Sequence, residues 1–248
     1  MDDQRPQTRT DSLDVHASKL KRVAYYGGSF DPVHRGHLEI AQGLLGQFAL
    51  DKLVFIPAFH APHKLRKKPT SAYDRYAMLC LATHHEPQIF VSRIEIEAPD
   101  RPFSIDTLTQ LSSENPRGEI FFVMGADSWM DITTWREWRA VLSLTHHIVI
   151  TRPGYEIGVE HVSADVRRRI RDLRSQNVQG ASDSGILRSV RGTSGPTDDN
   201  KHIYFADLVN LEISATVIRQ RVRENNPLWR RDVPLEVANY IEKYQIYN

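Results

Sequence analysis

The sequence predicts an α/β fold: a doubly wound, mostly parallel sheet with helices on both faces. Three observations carry that prediction. Short runs rich in Val, Ile, Phe and Tyr alternate with stretches whose apolar residues recur at helical spacing, the signature of right-handed βαβ crossovers. A Gly-Gly turn follows the first such run and leads directly into an amphipathic helix. The length, 248 residues with 40% hydrophobic content, suits one domain with a sizeable core.

Taken in order, residues 1–20 mix Gln, Arg, Thr, Asp and Ser without hydrophobic periodicity and read as a flexible tail. A single domain is expected over 21–248. Its expected strands are Arg22–Tyr26, Lys52–Pro57, Ile89–Ile96, Glu119–Met124, His146–Thr151 and His202–Phe205. Between them, Leu38, Ala41, Leu44, Leu45 and Phe48 make one helical stripe, Tyr76, Leu79 and Ala82 a second, and Ile105, Leu108 and Leu111 a third. Ser214 stands as the N-cap of a helix running to about Glu224, Asn225–Val233 reads as a loop, and Pro234 opens a last helix. The stretch at about 175–201 is rich in Ser, Gly, Asp and Asn and reads as a polar insertion.

Composition excludes several classes. With 32 Lys and Arg against 31 Asp and Glu, the chain lacks the excess charge of a protein that neutralises many phosphates, so no nucleic-acid partner is expected and the ligands should be small. One Cys forbids an internal disulfide, the first thirty residues lack the apolar core of a signal peptide, and no apolar run approaches a membrane span. A cytoplasmic protein without a membrane partner is the expectation; oligomeric state leaves no mark in the sequence. The 11 histidines then stand out, because imidazole suits proton transfer, phosphate contact and metal ligation near neutral pH.

Two of them sit in GGSFDPVHRGH, residues 27–37. Glycines there let the backbone turn sharply, and the following helix start offers free N–H groups and a positive dipole end. The pattern is neither GxGxxG nor a P-loop, which would end in Lys and Ser or Thr. His34 and His37, three apart at a helix start, share a face and can stabilise charge growing on a phosphoryl group. A second anion site is expected at ISATVIR, residues 213–219, where the hydroxyls of Ser214 and Thr216 and the guanidinium of Arg219 gather at one helix start.

GGSFDPVHRGH resembles the N-terminal signature of the HxGH nucleotidyltransferase superfamily, and ISATVIR resembles its C-terminal ISxTxxR-type motif, with Ala215 where many relatives carry a second Ser. The resemblance implies a Rossmann-like fold and a nucleotidyl transfer from a nucleoside triphosphate with release of pyrophosphate. It assigns ATP to Gly27, Gly28, Ser29, Phe30, His34, His37, Ser214, Thr216 and Arg219, with His34 and His37 catalytic. IPAFHAPHK (56–64), FSIDTL (103–108), FFVMGADSWMDITTW (121–135), TRPG (151–154) and the closing PLEVANYIEKYQIY are similar to the bacterial-type nicotinate mononucleotide adenylyltransferase family, over about Arg22–Tyr247.

That narrower resemblance implies nicotinate mononucleotide as acceptor, NAD biosynthesis as setting, and Mg2+ bound with ATP. It places Lys64 at the acceptor phosphate, Asp127 at ribose hydroxyls, Trp135 against the pyridine ring, and Ser104 and Arg136 near the nicotinate carboxylate, which relatives hold largely through backbone amides. Arg152 is a further phosphate candidate. Ser104 lies in PFS where relatives carry SYT. Three other readings stay on the page: a phosphopantetheine adenylyltransferase-like enzyme, a non-catalytic nucleotide sensor, and a metal site or phosphohydrolase built from His34, His37, His60 and His63, which lack nearby carboxylates. His84, His85, His146 and His147 are expected at the surface or at helix ends.

Overall fold

The computed structural model describes residues 21–59, 70–100, 102–151, 157–174, 201–208 and 213–247. Lys64, Arg152, the pair His60 and His63, the expected tail at 1–20 and the insertion as far as residue 200 lie outside the described residues. Strands run at Arg22–Gly28 (β1), Lys52–Pro57 (β2), Ile89–Val91 (β3), Glu119–Gly125 (β4), His146–Ile150 (β5), Ile170–Asp172 (β6) and Ile203–Ala206 (β7). Helices run at Arg35–Gln47 (α1), Ala72–Thr83 (α2), Ser104–Glu114 (α3), Ala126–Met130 (α4), Trp138–Leu144 (α5), Ala164–Arg168 (α6), Ala215–Arg223 (α7) and Leu235–Lys243 (α8). No helix among the described residues is long and apolar enough to cross a membrane.

The strands form one sheet in the order β3-β2-β1-β4-β5-β7-β6, with every described pairing parallel. Tyr25 sits between Val54 and Phe122, so β1 and β4 are neighbours whose onward connections run to opposite sides. At such a reversal the loops beyond the strand ends part and leave a crevice. Both faces of β1 are buried, and alternation divides its side chains between two cores. Ala24 and Tyr26 pack with Leu44, Phe55, Leu79, Ile218 and Val237 under α1, α2, α7 and α8. Val23 and Tyr25 pack with Leu108, Trp129, Val141 and Leu142 under α3, α4 and α5.

Four expectations are corrected. Strand β3 ends at Val91, not Ile96, because the chain then closes a turn in which Glu97 N–H donates to the Arg93 carbonyl at 2.9 Å; Ile96 is buried by that turn and not by strand pairing. The supposed loop Asn225–Val233 contains a 3-10 turn, Pro227–Arg231, capped by Asn226, whose side-chain oxygen accepts from Leu228 N–H at 3.1 Å. Strand β6 was not anticipated: three residues with two charged ones show no alternation to read. His146 and His147 are not surface residues. They begin β5 and are buried, and burial pushes both imidazoles down to about 3. His84 and His85 do lie exposed at the end of α2.

Candidate active site

The site begins where β1 runs out into Gly27-Gly28. A Cβ on Gly27 would come 2.9 Å from the Phe122 ring, and one on Gly28 would come 2.7 Å from the Phe30 ring, so the glycines are required by close packing. Phe30 itself takes a left-handed φ of 48°, which reverses the chain and returns its ring to the core against Tyr26 and Phe55. Its ring is therefore backing, and only its main chain borders the crevice. The loop is held from beneath by Arg75 on α2, which is 1% exposed. Its guanidinium donates to the carbonyls of Ser29 and Ala58 at 2.6 Å each and to that of Thr70 at 3.1 Å, joining the ends of β1 and β2.

His34 is the N-cap residue of α1 and His37 lies in the first turn. Their rings stack, centroids 3.7 Å apart, and Phe30 stands edge-on to His37 at 5.0 Å. The Nδ1 of His37 accepts from His34 N–H at 3.2 Å, which fixes the proton on Nε2. Burial, reinforced by the neighbouring His34, holds His37 well below the usual histidine range. His37 is thus a neutral N–H donor with a fixed tautomer, suited to an anionic oxygen.

The second motif arrives from the far end of the chain. Ser214 is the extended N-cap residue of α7 and its hydroxyl does not cap the helix; Thr216 lies in the first turn. Arg219 donates from Nη2 to Thr216 Oγ1 at 3.2 Å and from Nη1 to the Asp31 carbonyl at 2.5 Å, across 188 residues of sequence. The Asp31 carboxylate in turn accepts from Tyr247 O–H at 2.8 Å and from Thr70 N–H at 3.4 Å. Both phosphate motifs are therefore laced to one loop, and a cation, two hydroxyls and two helix starts surround it.

On the other side of β4, Asp127 is exposed in the first turn of α4, immediately beyond the strand end. Trp135 is half-buried beside Phe122, centroids 6.5 Å apart, and its indole N–H has no partner among the described residues. Ser104 is the first residue of α3, behind Phe103, and the Arg136 guanidinium lies 5.0 Å over the Phe103 ring. Arg136 is thereby placed against Phe103, the residue that precedes Ser104. Sequence reasoning missed Arg75, Asp31, Tyr247 and Glu95. Glu95 accepts from Thr107 Oγ1–H at 3.2 Å and from the Phe59 backbone, and burial pushes its carboxyl up to about 7. It links the loop after β2 to α3. Asp31 and Tyr247 lie inside recognised stretches, GGSFDPVHRGH and the closing PLEVANYIEKYQIY, whereas Arg75 and Glu95 make tertiary contacts without local spacing.

Among the described residues no three His, Cys, Asp or Glu side chains gather in a way that would hold a metal. Parallel strands, a crevice at the reversal between β1 and β4, and two anion-binding helix starts define a class: an α/β nucleotide-binding protein that handles phosphates. The family model described as cytidylyltransferase-like matches residues 25–221. A nicotinate-nucleotide adenylyltransferase of Corynebacterium glutamicum is 33% identical over 91% of this chain and 88% of its own length. One from Desulfitobacterium hafniense is 35% identical over 92% and 96%. Among solved structures, the nicotinic acid mononucleotide adenylyltransferase of Plasmodium falciparum complexed with NaAD has a TM-score of 0.64 and 19% identity, covering 92% of this chain and 97% of that one. At that identity the likeness speaks for the fold. The chain belongs to the cytidylyltransferase-like nucleotidyltransferases and, within them, to the nicotinate-nucleotide adenylyltransferase family.

Proposed function

We propose that the chain transfers AMP from ATP to nicotinate mononucleotide, giving nicotinate adenine dinucleotide and pyrophosphate. One observation carries this reading: Arg219 of the second motif donates to the Asp31 carbonyl in the loop that leads to His34 and His37, so both phosphate-binding motifs face one crevice. The acceptor phosphate attacks the α-phosphorus of ATP in line, and the bond to the β-phosphate oxygen breaks as pyrophosphate leaves. A phosphate monoester is already an anion at neutral pH, so the protein has little proton transfer to perform. Positioning and charge stabilisation carry the rate.

In this reading the neutral Nε2–H of His37, with His34 beside it, donates to oxygens of the transferring phosphoryl group. The backbone of Gly27 to Phe30 cradles the nucleotide. Ser214, Thr216 and Arg219 hold the departing β- and γ-phosphates. Lys64 and Arg152 meet the acceptor phosphate, Asp127 its ribose, Trp135 its ring, and the main chain around Ser104 and Arg136 its carboxylate. The donor set fits a Mg2+ ion carried by ATP phosphates and water, because the one motif carboxylate, Asp31, is engaged by Tyr247 and Thr70. Such an ion would neutralise charge on the triphosphate.

The test is pyrophosphate release with each substrate alone and both together. Release requires ATP and nicotinate mononucleotide jointly and proceeds faster than with nicotinamide mononucleotide or phosphopantetheine. Turnover with ATP alone, or an equal or greater rate with phosphopantetheine, would overturn the reading.

A further inference from the structure

A second cluster of charge lies at the opposite end of the sheet. Where β5, β7 and β6 begin, a cavity of about 520 Å³ opens between α5 and α6. Among the described residues, Arg139, Arg168, Arg169 and Arg171 line it, against one carboxylate, Asp165, and the buried His202 forms part of its wall. Strand β5 separates this cavity from the crevice by roughly 15 Å, at about 3.3 Å per residue.

Two of the guanidinium groups, those of Arg169 and Arg171, are held by backbone carbonyls. Arg169 donates from Nη1 to the carbonyls of Leu142 at 3.0 Å and Lys201 at 3.3 Å. Arg171 donates from Nη1 to those of Arg168 at 2.9 Å and Ile170 at 3.0 Å. In both, Nε–H and the Nη2 hydrogens make no bond to described residues. The Arg139 guanidinium lies over the Trp138 ring, 4.3 Å from its centroid. The Asp165 carboxylate is held below the usual carboxylate range chiefly by its hydrogen bond with the Ser163 side chain, with the charges of Arg169 and Arg168 adding to the effect. Fixed forks with donors to spare suit phosphate oxygens, because several N–H groups meet one group bidentately without reorganisation.

We propose that this cavity is a second, non-catalytic anion site that takes a short phosphoanhydride chain, either inorganic or as the tail of a nucleotide. Among the described lining residues, four guanidiniums and one carboxylate leave three positive charges, which a carboxylate monoanion cannot balance and a di- or triphosphate can. A free metabolite of that size also fits the volume, whereas a duplex or a polynucleotide needs an extended basic surface that the near-neutral chain lacks.

The experiment is amide-resolved NMR titration of the full chain with inorganic tripolyphosphate and, separately, with ATP, each at constant ionic strength. Tripolyphosphate is expected to move the amides of Ser143, Arg168 and His202 as a group distinct from those of Gly28 and Thr216. ATP moving the first group as strongly assigns the nucleotide as the source; tripolyphosphate alone doing so assigns the inorganic chain. The double variant Arg139→Ala, Arg168→Ala removes two exposed side chains, and should weaken the first response at least tenfold while leaving the second response and the rate of pyrophosphate release unchanged. Shifts confined to Gly28 and Thr216, shifts reproduced by sodium chloride or acetate, or tighter binding of a single-stranded oligonucleotide would each overturn the proposal.

Discussion

At the scale of single residues, the stacked pair His34 and His37 bears the chemistry, and the two are not equivalent. His37 spends its Nδ1 lone pair on His34 N–H, so its only donor is Nε2–H, and burial keeps the ring neutral. Removing that donor should act on charge that develops only as the phosphoryl group transfers. His37→Ala is therefore expected to lower kcat by about 10²- to 10³-fold, the range found for loss of one such donor, with little change in the KM for either substrate. Steady-state kinetics on a variant with an unaltered circular dichroism spectrum makes the check, and a change confined to KM would remove the assigned role. Arg219 offers a second test. Its planar fork spans Thr216 Oγ1 and the Asp31 carbonyl, which a lysine ammonium cannot do from one position. Arg219→Lys should raise the KM for ATP about tenfold or more, measured by initial rates at saturating acceptor. Histidines and the ISATVIR residues were legible in the sequence because each motif compresses its chemistry into a few adjacent positions. Arg75, Glu95 and Tyr247 were not, since their meaning lies wholly in contacts made after folding: Tyr247 reaches Asp31 across 216 residues.

At the scale of elements, the reading of the strands succeeded where both faces are buried. β1, β2, β4 and β5 are near-continuous apolar runs because helices cover the sheet on both sides. It failed at the sheet margins, β3 and β6, where three residues suffice to pair and alternation has no room to show. The histidines of β5 misled for a related reason: polar residues at a strand start suggest solvent, yet His146 Nδ1 accepts from His202 N–H at 3.0 Å and His147 Nδ1–H donates to the Thr145 carbonyl at 3.0 Å, so one ring nitrogen of each finds its partner inside the protein. Arg75 shows how one helix serves two strand ends. Replacing it by Met keeps the aliphatic packing of the stem but leaves the Ser29 and Ala58 carbonyls without their charged donor. Arg75→Met should cost on the order of 3 kcal/mol, as loss of one partner from a buried charged hydrogen-bond network does, and should raise KM for both substrates because both loops lose their anchor. A urea midpoint fall without a change in the m-value, paired with the kinetics, tests both halves.

At the scale of the whole molecule, buried titratable groups set opposing pH dependences. His146 and His147 ionise near 3 in the folded chain and near 6.5 when unfolded, so as pH falls below 6.5 the unfolded chain gains protons first and stability is lost. Between pH 7 and pH 5 that loss amounts to roughly 2 kcal/mol for each, about 4 kcal/mol together. Glu95 runs the other way. Its carboxyl ionises near 7 when folded and near 4.5 when unfolded, so the folded chain holds the proton more tightly, and acidification from pH 7 to pH 5 restores roughly 2 kcal/mol of stability. The histidines win, with His37 adding to their side, and net stability should fall by about 2 kcal/mol or more over that interval. Glu95→Gln separates the contributions, because Gln keeps an acceptor for Thr107 and Phe59 and removes only the titration. Chemical unfolding at pH 5 and pH 7 should show the variant losing about 4 kcal/mol where the unaltered chain loses about 2 kcal/mol, with the two stabilities converging toward pH 5. Parallel pH curves for the two proteins would mean that Glu95 is already ionised at pH 5 in the folded state, and that the link it makes between the loop after β2 and α3 carries a charge throughout.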